Sequence, residues 1–76
     1  TTRMTRETET KISYINFCIT QFAKRFRMQP QVAYRYLNEY KGLAFLDECY
    51  AAEHLVSASD AVNDLRQVCR RHGGTL

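Results

Sequence analysis

The side chains best suited to chemistry in the second half of this chain are two thiols and two imidazoles, from Cys49, His54, Cys69 and His72. Cysteine and histidine are the usual ligands of a zinc ion. Cys49 and His54 are five residues apart and face different sides of one helix, although Cys69 and His72, three apart, share a side. We therefore predict no metal site and no cofactor. Three cysteines without a Cys-x-x-Cys pair favour reduced thiols in the cytoplasm.

A second suggestive pair is Arg66 and His72, six residues apart on the last predicted helix. This spacing resembles the Arg–His pattern of HEPN-type ribonucleases, which cleave RNA without a metal at a dimer interface. His72 precedes two glycines at the helix end, which is a poor position for holding a catalytic base. We find no glycine-rich phosphate loop, no pair of inward carboxylates and no nucleophile elbow in the sequence. We predict that the protein is not an enzyme, with a HEPN-like ribonuclease as a distant alternative.

His54 and Glu53 lie together near the end of the third predicted helix. An imidazole there commonly bonds to a backbone carbonyl, so we expect a structural role for His54, with binding or proton transfer as the alternative. Glu53 falls within the apolar arc of that helix. It either sits at an exposed end or pairs with a basic group such as Arg66.

The elements that must position these residues are all helical, because apolar residues recur at helical spacing in every segment. Helices are predicted over about residues 8–27, from Pro30 to Tyr40, over about 43–55, and from Ser57 to near His72. Gly42 is predicted as a left-handed C-terminal cap, and Ser57 with Asp60 resembles a capping box. The predicted fold class is all-α, a compact bundle of four helices with short connections, forming one domain over residues 8–72.

We expect the two ends of the chain to lie outside this domain. Residues 1–7 are predicted as a disordered N-terminal tail or a cloning scar, with Met4 as the native start. Residues 73–76 are predicted as a flexible C-terminal tail. No apolar run approaches the roughly 20 residues needed to span a bilayer, and no signal-peptide pattern opens the sequence.

Two aromatic residues do not fit a self-contained core. Phe17 projects opposite the stripe of Ile12 and Ile19 on the first helix, and Tyr14 points toward the same outer side. Either this helix is buried on several sides, or it presents a second apolar surface to a partner or a second copy. A 76-residue chain buries only about 60% of its unfolded surface, so small domains often gain stability from such a contact.

Charge is segregated along the chain although its net value is only +3. Residues 1–42 carry eight Lys/Arg and three Asp/Glu, residues 43–65 carry five acids and no Lys or Arg, and residues 66–76 carry three arginines. The acidic third helix is incompatible with a DNA-reading helix-turn-helix, because that helix must enter a dense phosphate field. Complementary blocks instead favour pairing within the chain, between copies, or with a protein partner.

Nucleic-acid binding has one weaker version. Lys24, Arg25, Arg27 and Arg35, with Tyr34 and Tyr36 nearby, are able to form a basic-aromatic patch for RNA or single-stranded DNA. The simpler interpretation is that these basic residues stabilise helix ends and solvate the surface.

Three stretches carry a recognisable pattern: KISYINFCITQFAK over residues 11–24, YRYLNEYKGLAFLDECYAAEH over 34–54, and SDAVNDLRQVC over 59–69. The pattern resembles a family of small bacterial, all-helical domains of unknown function. The matching positions are Ile12, Ser13, Phe17, Cys18, Ile19, Tyr40, Gly42, Leu46, Tyr50, His54 and Val62, with departures at Lys41 and Glu53. The resemblance implies a compact protein often encoded beside an ADP-ribosyltransferase-like toxin, hence an antitoxin-like or accessory role, and it implies no active-site residue.

We therefore predict a cytoplasmic, non-enzymatic protein-interaction module that binds another protein, such as the product of an adjacent gene, with a homodimer as a further option and no membrane contact. The predicted apolar anchors are Tyr14, Phe17 and Tyr34, since aromatic residues dominate binding hot spots. Asp47 and Glu48 are predicted to supply charge specificity. The alternative function is RNA or DNA binding through the basic-aromatic patch.

Overall fold

The computed structural model describes residues 6–76 and consists of five helices. They are α1 (Arg6–Arg25), α2 (Pro30–Glu39), α3 (Gly42–Glu48), α4 (Tyr50–Glu53) and α5 (Ala58–Arg71). No strand occurs in the described range, so the all-α prediction is confirmed, and four of the helices have seven residues or more. The predicted N-terminal tail over residues 1–7 lies mostly outside the described residues, and α1 begins at Arg6.

The core forms where α1, α2, α3 and α5 meet, and its largest fully buried side chains are Phe22, Leu37, Leu46, Leu65, Cys18 and Cys69. The helical spacing of Ile19, Phe22 and Phe26 turns one face of α1 toward this core, as predicted. Ile12 belongs to the same stripe but is 41% exposed, because the N-terminal part of α1 extends past the core. The radius of gyration is 12.2 Å, close to the value of about 11 Å expected for a compact chain of this length.

The turn between α2 and α3 differs from the prediction. Lys41, not Gly42, adopts the left-handed conformation, with φ of 69°, and Gly42 is the buried first residue of α3. A Cβ atom at position 42 would lie 2.8 Å from Cδ2 of Leu37 and 3.1 Å from Sγ of Cys69. Gly42 is therefore required for close packing of α3 against α2 and α5, and not for a left-handed turn.

The third predicted helix is divided in two. Cys49 leaves helical geometry between α3 and α4, although its N–H still donates to the carbonyl of Phe45 and its carbonyl accepts from Glu53. The bend turns α4 toward α1, where the Tyr14 hydroxyl donates to the Glu53 carbonyl at 2.8 Å. The prediction of one helix to Leu55 is therefore wrong, because a tertiary contact redirects its last turn.

Both ends of α5 are held by hydrogen bonds. The Asp60 N–H donates to Oγ of Ser57 at 3.1 Å, which is the predicted N-cap. Residues 73–76, predicted as a flexible tail, fold back over the end of the helix. The Leu76 N–H donates to the Tyr36 hydroxyl at 3.1 Å, and Nε of Arg70 donates to the Leu76 carbonyl at 2.6 Å.

The turn at Lys41 and Gly42 yields a test by paired substitution. Gly42→Ala is expected to destabilise the fold by about 1–3 kcal/mol, because the new methyl group must displace Leu37 or Cys69. Lys41→Gly is expected to be neutral or to stabilise by up to about 1 kcal/mol, because glycine adopts positive φ without steric cost. Urea denaturation followed by circular dichroism measures both changes. An equal loss of stability in the two variants would contradict the different roles of these positions.

Candidate functional site

A groove of about 590 Å³ lies between α1 and α2. Its walls are Asn16, Ile19 and Thr20 from α1, and Pro30, Gln31, Tyr34 and Arg35 from α2. We call it the α1–α2 groove. Ile19 is buried and provides an apolar floor, whereas the polar side chains of the walls remain exposed.

Exposed aromatic rings flank this groove. Tyr34 follows the buried Ala33 on α2, so the helical rotation of one residue carries its ring out of the core, and it is 50% exposed. Phe17 is 47% exposed and lies three residues before Thr20, hence beside the α1 wall. Burial of Phe17 within the domain, one of the two sequence interpretations, is wrong. The groove therefore combines an apolar floor with two aromatic side chains that the core does not use.

Tyr14, the third predicted anchor, lies inside the domain. Its hydroxyl donates to the Glu53 carbonyl, and its ring packs edge-on against Tyr50 with 5.5 Å between centroids. Burial raises the pKa of this phenol above its usual value of 10.0. Of the two sequence interpretations, Tyr14 fits burial of α1 on several sides, because α4 covers that side of α1.

The two acidic residues predicted to supply specificity lie apart from the groove. Asp47 accepts from Nζ of Lys11 at 3.0 Å, an exposed pair within the chain that contributes about 1 kcal/mol or less. Glu48 lines a different cavity, together with Lys41 and Arg71. The five predicted partner-binding residues therefore do not form one surface, and only Phe17 and Tyr34 flank the α1–α2 groove.

Some residues of the predicted nucleic-acid patch form contacts within the chain. The Arg25 guanidinium donates to Oδ1 of Asn63 and to Oγ of Ser59, both at 3.0 Å, and so ties α1 to α5. The Tyr36 ring stacks on Phe22 with 5.7 Å between centroids, and its hydroxyl accepts from Leu76. The remaining exposed members are Lys24, Arg27, Arg35 and Tyr34.

The charged side chain that lines the α1–α2 groove is basic. Arg35 lines the groove itself, and Lys24 lies one helical turn beyond Thr20 on α1. An acidic ligand is therefore favoured over a basic one.

His54 forms the kind of backbone contact that the sequence predicts. Its Nδ1 atom lies 2.6 Å from the Tyr50 carbonyl, so this nitrogen carries the proton and donates it. The imidazole also stacks on the Tyr50 ring with 4.5 Å between centroids. The side chain is exposed and caps α4.

The pairs considered for catalysis and metal binding are not assembled. Arg66 borders a polar cavity with Asn63 and Arg70, whereas His72 borders the cavity of Glu48 and Lys41, so the arginine and histidine share no cavity. In the part of the chain that the structure describes, no three His, Cys, Asp or Glu residues are grouped as metal ligands. Cys18 and Cys69 are free and buried.

Glu53 contradicts the expectations from the sequence, because it lies neither at an exposed end nor beside Arg66 and forms a pair of inward carboxylates with Asp64. It is only 8% exposed, and it faces the carboxyl group of Asp64 on α5 instead of Arg66 or solvent. Its Oε1 atom is buried and has no hydrogen-bond partner within residues 6–76. Burial, with a hydrogen bond and repulsion from Asp64, raises the pKa of Glu53 to about 7. The position of Glu53 within the apolar arc of its helix indicates burial, but it does not indicate that Asp64 lies opposite.

Comparison with known proteins assigns a family to this chain. A family model described as a protein of unknown function, DUF3791, matches residues 13–72. No curated protein and no solved structure matches the chain. Within the described residues, no helix has both the length and the apolar character required to cross a membrane.

The environment of Glu53 predicts a pH-dependent stability. Because its pKa is raised from 4.5 to about 7, the folded state keeps a proton that the unfolded chain has lost. The free energy of unfolding should therefore fall as pH rises between these values and level off above about 7. Glu53→Gln should remove this slope and stabilise the protein by about 1–3 kcal/mol at about pH 8.

Urea denaturation of both proteins at several pH values measures this difference. Glu48→Gln is the control, because it removes an exposed acid. The same gain from Glu48→Gln, or a slope that persists in Glu53→Gln, would show that another group is responsible.

Proposed function

We propose, from the premise that this chain belongs to the DUF3791 family of unknown function, that it is a non-enzymatic protein-interaction module. In this proposal the α1–α2 groove binds an acidic, partly apolar segment of another protein. The observation that carries the proposal is the exposed Tyr34 ring on the wall of an open groove that Arg35 also lines, together with the exposed Phe17 ring on α1.

The aromatic residues supply the contact area. Tyrosine and phenylalanine bury large surfaces on binding, and tyrosine retains a hydroxyl that accepts a partner's hydrogen bond. Tyr34 lines the groove wall, so a side chain that enters the groove contacts both this ring and the floor at Ile19. Phe17 extends the contact surface across α1.

The charges favour an acidic partner over a second copy in this groove. A symmetric dimer through the groove would place the same surface on both sides of the contact, so that Arg35 and Lys24 faced their own copies. Such like-charge contacts disfavour association. An acidic segment instead gains charge-assisted hydrogen bonds with the Arg35 guanidinium.

The natural partner in this proposal is the product of an adjacent gene, an ADP-ribosyltransferase-like toxin, which the chain would bind as an antitoxin-like partner in a bacterial cytoplasm. The sequence resemblance described above supports this choice. We further propose that the four longer helices act as a four-helix bundle, which holds α1 and α2 at a fixed separation and so presents a preformed groove.

Co-purification with the adjacent gene product tests the proposal. Tyr34→Asp and Phe17→Asp should each weaken binding by about tenfold or more, since each places a charge in an aromatic contact. Leu55→Asp is the matched control, because Leu55 is 77% exposed and lies outside the groove. All three variants should retain the circular dichroism of the wild-type helices.

Two results would contradict the proposal. One is equal binding by wild type, Tyr34→Asp and Phe17→Asp. The other is binding of single-stranded RNA, with an affinity that falls steeply with salt, by a chain that does not bind the adjacent gene product. The second result would assign the surface to nucleic acid.

A further inference from the structure

Two adjoining cavities lie between α3 and α5, away from the α1–α2 groove. The larger, of about 350 Å³, is lined by Lys41, Ala44, Phe45, Glu48, Val68, Arg71 and His72. The smaller, of about 260 Å³, is lined by Phe45, Glu53, Asp64, Gln67, Val68 and Arg71. Because Phe45, Val68 and Arg71 border both cavities, we treat them as one α3–α5 groove.

The charges of the α3–α5 groove differ along its length. The smaller cavity has two carboxyl groups, from Glu53 and Asp64. Arg71 borders both cavities, and Lys41 adds positive charge to the larger one, where Glu48 is also exposed. Between the two regions Phe45 and Val68 provide apolar surface. The groove therefore presents an acceptor region and a cationic region on either side of an apolar wall.

Glu53 places a buried hydrogen-bond acceptor, one without a donor in residues 6–76, at the smaller cavity. It lines the smaller cavity and is more than nine-tenths buried, and Oε1 has no hydrogen-bond donor among the described residues. A buried acceptor without a donor destabilises a fold, so native structures normally satisfy it. Asp64 beside it is another acceptor when ionised, so the two carboxyl groups need either a shared proton or a cationic donor.

We propose that the α3–α5 groove binds a small zwitterion of the amino-acid type. Its ammonium group donates to Glu53 and Asp64, its carboxylate accepts from the Arg71 guanidinium, and its alkyl part packs on Phe45 and Val68. The two cavities, of about 350 and about 260 Å³, suit a small ligand that reaches from the carboxyl pair to Arg71. This site is independent of the α1–α2 groove and of the function proposed for it.

The affinity for the proposed ligand should depend on pH, because the groups that face Glu53 determine its protonation. They are Tyr14 and Cys18 from α1, and Asp64 from α5, with Arg71 on the shared cavity wall. Tyr14 and Cys18 both have raised pKa values, so they stay neutral and add no negative charge near neutral pH. The ligand's ammonium group thus replaces the proton on the carboxyl pair, and affinity should rise between about pH 6 and about pH 8.

The experiment is an NMR titration of the chain at about pH 8 with three matched probes. L-Norvaline carries both charged groups, butylamine lacks the carboxylate, and pentanoate lacks the ammonium group. Norvaline should shift the amide signals of Phe45, Glu53 and Val68 saturably, and should bind about tenfold or more tighter than either single-charge probe. No saturable shift with norvaline, or equal affinities for the three probes, would overturn the proposal.

Substitutions assign the two charged ends separately. Glu53→Gln and Asp64→Asn should each reduce norvaline and butylamine binding about tenfold, and should abolish the pH dependence. Arg71→Met should weaken norvaline and pentanoate while leaving butylamine unchanged. Asp60→Asn and Arg66→Met are the controls outside the groove. Unchanged norvaline binding in Glu53→Gln would overturn the proposal, and so would tighter butylamine binding in Arg71→Met, since Arg71 would then itself occupy the carboxyl pair.

Discussion

The close approach of α3 to α2 and α5 at Gly42 is the contact on which the rest of the structure depends. With hydrogen in place of a side chain, the α3 backbone packs directly against Leu37 and Cys69. This contact brings Leu46 of α3 into the same fully buried cluster as Leu37 and Leu65. In a chain this short, few large side chains are available for the core, so their mutual contact requires helices that lie close together. The positions of α4 and of both α3–α5 cavities follow from where α3 is held.

Glu53 is an exception to the burial of apolar side chains that stabilises the rest of the fold. An apolar residue would pack at this position at no electrostatic cost, whereas a carboxyl group beside Asp64 loses hydration and meets like charge. The surrounding contacts hold it nonetheless, because Tyr14 ties the α4 backbone to α1 through the Glu53 carbonyl. Local conflicts of this kind concentrate at functional sites. Stability alone therefore gives no reason for an acid here, whereas the proposed zwitterion site would use one.

Periodicity and capping chemistry predicted the helices well, because they depend on neighbours within one segment. Ser57 marks the start of α5, and the spacing of Ile19 and Phe22 identifies the buried face of α1. The errors in these predictions arise where contacts with another helix determine the backbone conformation or the helix boundary. Lys41, not Gly42, takes the left-handed conformation, and the third predicted helix divides at Cys49, where α4 turns toward Tyr14 of α1. A helical wheel orders side chains around their own axis and contains no information about which neighbour covers them.

The difference between local patterns and contacts from other elements also explains why only part of the proposed binding surface was predicted. Phe17 and Tyr34 are exposed as expected, yet Asp47 pairs with Lys11 and Arg25 bonds to α5, so their charges are engaged within the chain. Phe17 and Tyr34 add little to the core, and in the proposed function their apolar surface is buried when a partner binds.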